Sequence, residues 1–298
     1  MNKLTTERRA RIINLLVEGV SMRAITRLEG VGINTVARLI DAAGAAAAEY
    51  HDQHVRGIVG NRRIECDEVW AFVYAKKRNV PHAKAAPKGA GDAWTFSAID
   101  ADSKLAVGYL VGQRDGATAI EFMDDLRGRL EDRPQVSTDG LRAYVEAIEG
   151  AFGGDVDFAQ VVKEYGNDMG ESAHERRYSP SARVTSCKKR RIEGNPNLRL
   201  ASTSYVERSN LTMRMGNRRF TRLTNAFSKK AEKHAAMVAL FFLHYNFCRI
   251  HKTLRVTPAM EAGIDTTPRD CEWIAKLVEA RESKPNRPKK YKKRAKAA

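Results

Sequence analysis

Apolar positions in the first fifty residues recur at helical spacing. Ile12, Ile13, Leu15, Leu16 and Val17 form a stripe within Thr5–Gly19, while Arg8, Arg9 and Arg11 face outward, which predicts a first helix. Ser21 is placed to cap a short second helix containing Met22, Ile25 and Leu28. Gly30-Val31-Gly32 interrupts it, and a third helix is predicted from about Asn34 to Ala48, burying Val36, Leu39 and Ile40. From Ile64 the pattern changes to long β-branched and aromatic runs. Ile64–Ala75 suits a buried strand, Lys76–Gly91 a loop, and Ala93–Asp100 and Lys104–Gly112 two further strands joined by a turn. In the last of these Leu105, Val107, Tyr109 and Val111 alternate with smaller residues, so the larger side chains share one face. An amphipathic helix is predicted over Ala117–Leu130, a short strand at Gln135–Thr138 and a helix at Leu141–Glu149. Helices resume at about Ser202–Met215 and Ser228–Arg249.

Three strands, a helix, a strand and a helix form an α/β unit preceded by an all-α segment. The order fits a ribonuclease H-like fold behind an N-terminal helix-turn-helix domain. The expected division is 1–50 for the helix-turn-helix, 51–63 for a linker, 64–265 for the α/β domain and 266–298 for a C-terminal helix and basic tail. Residues 151–200, glycine-rich and then very basic, are expected to be an irregular insertion or DNA-facing loop. The tail from about Lys284 is expected to stay disordered until it meets DNA.

Charge sharpens this picture. The chain has 298 residues, 43% hydrophobic and 30% charged, with a formal net charge of +16. The last fifteen residues carry eight Lys and Arg and no acid, leaving +8 on the body. Such an excess points to a polyanion, most commonly nucleic acid. In the helix-turn-helix pattern the helix after the turn lies in the major groove, so Asn34, Thr35 and Arg38 are candidates to reach bases or phosphates. Lys188, Lys189, Arg190 and Arg191, with Arg208 and Arg214 further on, are candidate phosphate contacts. The N-terminus has no apolar signal core, and the longest apolar run, around Ala235–Tyr245, is shorter than the roughly 20 residues that span a bilayer. A cytoplasmic, nucleoid-associated protein is expected. Cys66, Cys187, Cys248 and Cys271 lie too far apart for a zinc motif and are expected to be reduced.

Three of the 36 acids stand out by their settings. Asp67 lies inside the most apolar strand, where a charge is costly unless paired or metal-bound. Asp139 follows a short strand, at the kind of strand end where ligands gather in open α/β sheets. Glu207 sits on a helix with Arg208 and Arg214, close to Arg218 and Arg219. Glu65 shares the face of Asp67 by strand parity and Glu68 takes the other, so periodicity leaves Glu65 open as a rival. Three carboxylates from separate elements could hold two magnesium ions about 3.5–4 Å apart for phosphodiester chemistry.

The segments ECDEVWAFV, STDGLRAY, YVERSNLTMR and HYNFCRIHKTLRVTPAMEAG resemble DDE transposases of bacterial insertion sequences, most nearly the insertion sequence one family. The likeness runs over about Ile64–Gly263. It implies that Asp67, Asp139 and Glu207 are the catalytic triad and ligands of two Mg²⁺ ions, with Mn²⁺ as a substitute. It also implies cleavage at transposon ends followed by strand transfer into target DNA. The partners so implied are double-stranded DNA and further copies of the chain, which must bring two ends together. The cysteine zinc motif common in that group is absent. His244 and His251 are secondary candidates beside the scissile phosphate, and Trp70 and Trp94 are expected in the core. The competing readings are a non-catalytic helix-turn-helix regulator and a nuclease of the same fold that cuts without joining.

Overall fold

The computed structural model describes residues 3–165, 184–221 and 224–282. It opens with three helices, α1 (Thr6–Val17), α2 (Met22–Glu29) and α3 (Ile33–His54). The side chains of Thr5 and Ser21 accept hydrogen bonds from the N–H groups of Arg8 and Ala24 and cap the first two. Gly30 ends α2 at φ 58°, a left-handed turn that glycine adopts without a Cβ penalty, and α3 follows at once. Ile12, Ile13, Ile25, Val36 and Ile40 are buried together where the three helices meet.

The length of α3 corrects the expected linker at 51–63. Glu49–His54 contains neither Gly nor Pro, so the helix continues six residues past Ala48. His51 is buried, and its Nε2 lies 3.0 Å from the carbonyl oxygen of Ala106. Burial and the nearby Arg129 guanidinium lower its pKa to about 4, so it sits there neutral. Beyond it, Ile58 donates its N–H to the Arg129 carbonyl and accepts from the Glu131 N–H, both at 3.0 Å. This stretch is docked on its neighbours.

The remaining elements are β1 (Arg63–Val73), β2 (Gly91–Asp100), β3 (Ala106–Gly112), α4 (Gly116–Arg127), β4 (Gln135–Thr138), α5 (Ala143–Phe152), β5 (Asp157–Tyr165), β6 (Val184–Glu193), α6 (Ser204–Gly216), α7 (Ala231–Phe247), α8 (Pro258–Glu261) and α9 (Cys271–Arg281). The strands form one sheet in the order β3-β2-β1-β4-β5-β6. The first three make an antiparallel meander, β4 and β5 run parallel to β1, and β6 returns antiparallel to β5. On one face Ile64, Cys66, Phe96 and Ala98 pack against Phe122 and Met123 of α4 and Tyr144 and Ile148 of α5. On the other, Val69, Ala71 and Ile99 pack against Val206 and Met213 of α6 and Val238, Phe241 and Phe242 of α7. The mixed α/β arrangement fits the ribonuclease H-like class expected from the order of elements.

The irregular insertion expected over 151–200 is corrected by β5 and β6. Val156, Phe158, Ala159 and Val161 are buried and hold β5 in the sheet. β6 is an edge strand whose residues are almost all exposed, so no apolar alternation announces it. Lys188, Lys189, Arg190 and Arg191 therefore lie in a strand, where cations also discourage edge-to-edge pairing with another chain. Residues 166–183 and the basic tail lie outside the described residues.

The C-terminal helix α9 closes back on α1. Thr6 Oγ1 donates to Glu279 at 2.8 Å, and the buried Arg9 pairs with Glu282 at 2.9 Å. Trp70 and Trp94 are half-buried, with Lys76 5.8 Å from the Trp70 ring and Arg114 4.9 Å from the Trp94 ring, so neither is fully in the core as expected. No helix among the described residues is long and apolar enough to cross a membrane. The four cysteines are free thiols.

Candidate metal centre at the end of the central strands

The site begins where β1 and β4 part. Their pairing ends at Cys66 opposite Thr138, after which β4 stops and α5 follows. Strand order reverses here, with β2 on one side of β1 and β4 on the other, so the carboxyl ends of two parallel strands open a notch. Asp67 and Glu68 are the next two residues of β1, and Asp139 is the next residue after β4. Asp139 is turned back by its own loop: its Oδ1 accepts the Leu141 N–H at 2.9 Å.

Parity sends Asp67 toward α6 and Glu68 toward α5. With no strand alongside on the β4 side to separate the two faces, both still reach Asp139. Asp67, Glu68 and Asp139 each offer a carboxylate oxygen within 4.8 Å of the others. Oxygen donors gathered this closely suit a hard divalent cation such as Mg²⁺. Burial raises Asp67 to a pKa of about 7, and the negative charges of Glu68, Asp139 and Glu207 push in the same direction. Glu68 is also pushed up, first by burial and further by Asp139, against the pull of the Tyr144 hydroxyl and Arg114. This excess of crowded negative charge is what a cation would relieve.

Helix α6 supports the notch from the other side. Asn210 Nδ2 donates to Asp67 Oδ2 at 2.9 Å, and Ser97 Oγ donates to Asn210 Oδ1 at 3.4 Å, which orients the amide. Glu65 does not face the notch. Its Oε2 accepts the N–H groups of Tyr205 and Val206, at 2.7 and 3.1 Å, at the start of α6. A buried carboxylate thus caps the helix that carries Glu207 and Asn210, where the helix dipole favours negative charge. Sequence parity could not separate Glu65 from Asp67; this contact does.

Glu207 lies in the first turn of α6 and is exposed. Its charge reaches Asp67, but it is outside the 4.8 Å group. Its Oε1 pairs with Lys163 of β5 and accepts from Thr203 Oγ1 at 2.7 Å. Of the three acids chosen from the sequence, the structure brings Asp67 and Asp139 together and holds Glu207 to one side. Glu68, which parity places on the other face and the resemblance passes over, joins them, and Asn210, outside the sequence candidates, holds Asp67. The spacing of Asn210, three residues after Glu207, was the available signal, since i and i+3 share a helix face.

Asn34 and Arg38 are exposed at the start of α3, and Thr35 is half-buried. Lys188, Lys189, Arg190 and Arg191 line the edge strand, Arg208 is exposed on α6, and Arg214 is half-buried in its last turn. Lys188 pairs with Glu164 at 2.6 Å and Lys189 donates to the Leu198 carbonyl at 3.0 Å. Burial lowers His244 to a pKa of about 4, and His251 Nε2 lies 3.2 Å from the Tyr245 hydroxyl. Neither histidine joins the carboxylate group. Asn246 is structural: its amide both donates to and accepts from the backbone of Ala106, at 2.9 Å each way.

No family model and no curated protein matches the chain. Among solved structures it is similar to a Mos1 transposase paired-end complex with left transposon end, at 14% identity and a TM-score of 0.21. The match covers 50% of this chain and 58% of that one. So loose a superposition adds nothing to the argument from the site.

Proposed function

We propose that the chain binds double-stranded DNA and cuts and joins it by metal-dependent phosphoryl transfer, as a DDE transposase. The observation that most supports this is the meeting of Asp67 and Asp139 at the carboxyl ends of two parallel strands, with Glu207 charged nearby. Asp67, Asp139 and Glu207 would hold the cation, Mg²⁺ or Mn²⁺, two ions in the full reaction. When bound, such ions neutralise phosphate charge and lower the pKa of the attacking hydroxyl.

The chain's own residues do the positioning. Asn210 fixes the carboxylate of Asp67 through a direct hydrogen bond. Glu65 ties the start of α6 to β1, so Glu207 and Asn210 keep their distance from the notch. Lys163 and Thr203 hold the Glu207 carboxylate in place before metal and DNA arrive. The cations of β6, with Arg208 and Arg214, run the phosphate backbone past the notch. Asn34, Thr35 and Arg38 read the transposon end from the start of α3. Two ends must meet, so the active complex holds at least two copies of the chain.

The test is a reaction of purified protein with Mg²⁺ and a duplex carrying the DNA that flanks its coding region. Cut ends with free 3′-hydroxyls, then joined to a target plasmid, are expected, and EDTA should stop both steps. Cutting without joining would reassign the chain as a nuclease, and tight binding without cutting as a regulator. Either outcome overturns the proposal.

Phosphate contact by β6 has a separate signature. Replacing Lys188, Lys189, Arg190 and Arg191 together by Gln should weaken binding to all sequences alike. It should also flatten the slope of log K against log salt by up to about 3.6, since each lost phosphate contact removes close to 0.9. Anisotropy titrations at several salt concentrations measure it. An unchanged slope would make these residues only a solvated edge.

A further inference from the structure

We propose that Glu68 is a further ligand of the cation site and that Arg114 is its resident counter-charge, standing in for the cation until one binds. The inference rests on the metal-dependent reading above and deepens it. Glu68 is 8% exposed, and its buried Oε1 has no partner at normal hydrogen-bond length, only a loose contact with the Tyr144 hydroxyl of α5. That hydroxyl is likewise buried and makes no hydrogen bond of normal length. A carboxylate oxygen held so loosely in a buried place costs free energy that a cation would recover. Glu68 is also within reach, contributing an oxygen to the same 4.8 Å group as Asp67 and Asp139.

Arg114 spans the other side of the group. Its Nε lies 3.2 Å from Glu68 Oε2 and its Nη2 lies 3.7 Å from Asp139 Oδ2. One guanidinium thus faces two carboxylates that belong to the group. The ring of Trp94, 4.9 Å away, holds it there, and two-fifths of the side chain remains open to solvent. A positive charge in this position does part of what a divalent cation would do. It also opposes the cation's approach, since like charges this close repel.

Removing either partner should therefore shift cation affinity in opposite directions. Mn²⁺ binding to the full chain without DNA, followed by electron paramagnetic resonance and calorimetry, gives a readout independent of cleavage. Glu68→Gln keeps the shape and should lower Mn²⁺ affinity about tenfold or more. Arg114→Gln should raise it severalfold. Asp139→Asn should abolish binding and serves as the reference for the underlying reading. If neither the wild type nor any variant binds Mn²⁺, the metal-dependent reading itself fails. If Asp139→Asn loses binding while Glu68→Gln stays within twofold of wild type, Glu68 is no ligand and the inference falls alone. Arg114→Gln tests the counter-charge even if Glu68→Gln fails to fold, and lowered affinity in that variant overturns it.

Discussion

Asp67→Asn will cost the protein its DNA cleavage and, without metal, make it more stable. Removing one carboxylate from a shared metal site should lower cleavage by at least about 10³-fold, an effect on the scale of losing a key electrostatic group, while DNA binding stays within about twofold. The stability gain follows from linkage. An unfolded Asp titrates near 4, whereas burial and like charges raise Asp67 to about 7 in the folded chain. Below about pH 4 the group is protonated in both states and imposes no penalty. Between there and pH 7 the folded state holds a proton that the unfolded state has released, so the wild type loses stability as pH rises through this window. Above pH 7 the loss is complete. Asn never ionises and escapes it. The expected gain at pH 8 is roughly 2 kcal/mol, below the full linkage value because the notch admits water and its carboxyls share protons. Thermal melts of both proteins at pH 4 and pH 8 check this. Added Mg²⁺ should stabilise the wild type and leave the variant nearly unmoved. A variant less stable than wild type at pH 8, or one that still cuts DNA, would contradict the proposed role of Asp67.

Gly44→Ala should produce the largest loss of stability for the smallest change of side chain. Gly44 lies within α3 where it crosses α7, and a Cβ there would sit 2.5 Å from the Cα and Cβ of Ala236. The obstruction is backbone, so the helices must separate rather than a side chain rotate. Alanine regains about 1 kcal/mol of helix propensity. Forcing apart two packed helices costs more, about 3 kcal/mol or above. The net loss of about 2 kcal/mol or more should lower Tm by roughly 4–8 °C for a chain of this size. Gly150→Ala is the control: it lies in α5 with nothing within 4 Å of the added methyl, so a small gain is expected. An unchanged or raised Tm for Gly44→Ala would mean that α3 and α7 do not meet as described.

The elements with one buried face were legible from the chain. Helices α1, α2 and α4 and strands β1 to β4 each carry an apolar stripe or run of the right period, and Ser21 and Asp67 announced their settings. β6 was not legible, because VTSCKKRRIE buries nothing and leaves no period to read. The site was legible in part for a related reason. Alternation correctly put Glu68 on the opposite face from Asp67, but it could not show that β4 stops at Thr138 and lets both faces meet. Nor could local pattern reveal that Glu65 caps a helix 140 residues away. That bond depends on how α6 lies across the sheet, which is tertiary information.

Helix α3 has its exposed Asn34 and Arg38 at one end and the buried His51 at the other. At 1.5 Å per residue its 22 residues make a shaft of about 33 Å without a joint. If the first end grips a particular run of base pairs, the second is anchored in the sheet that carries the proposed metal site. The scissile bond would then fall at one set number of base pairs from the recognised motif. Adding or removing a single base pair between them would rotate the cut position by about a tenth of a turn of the duplex. The protein has no hinge here to follow it.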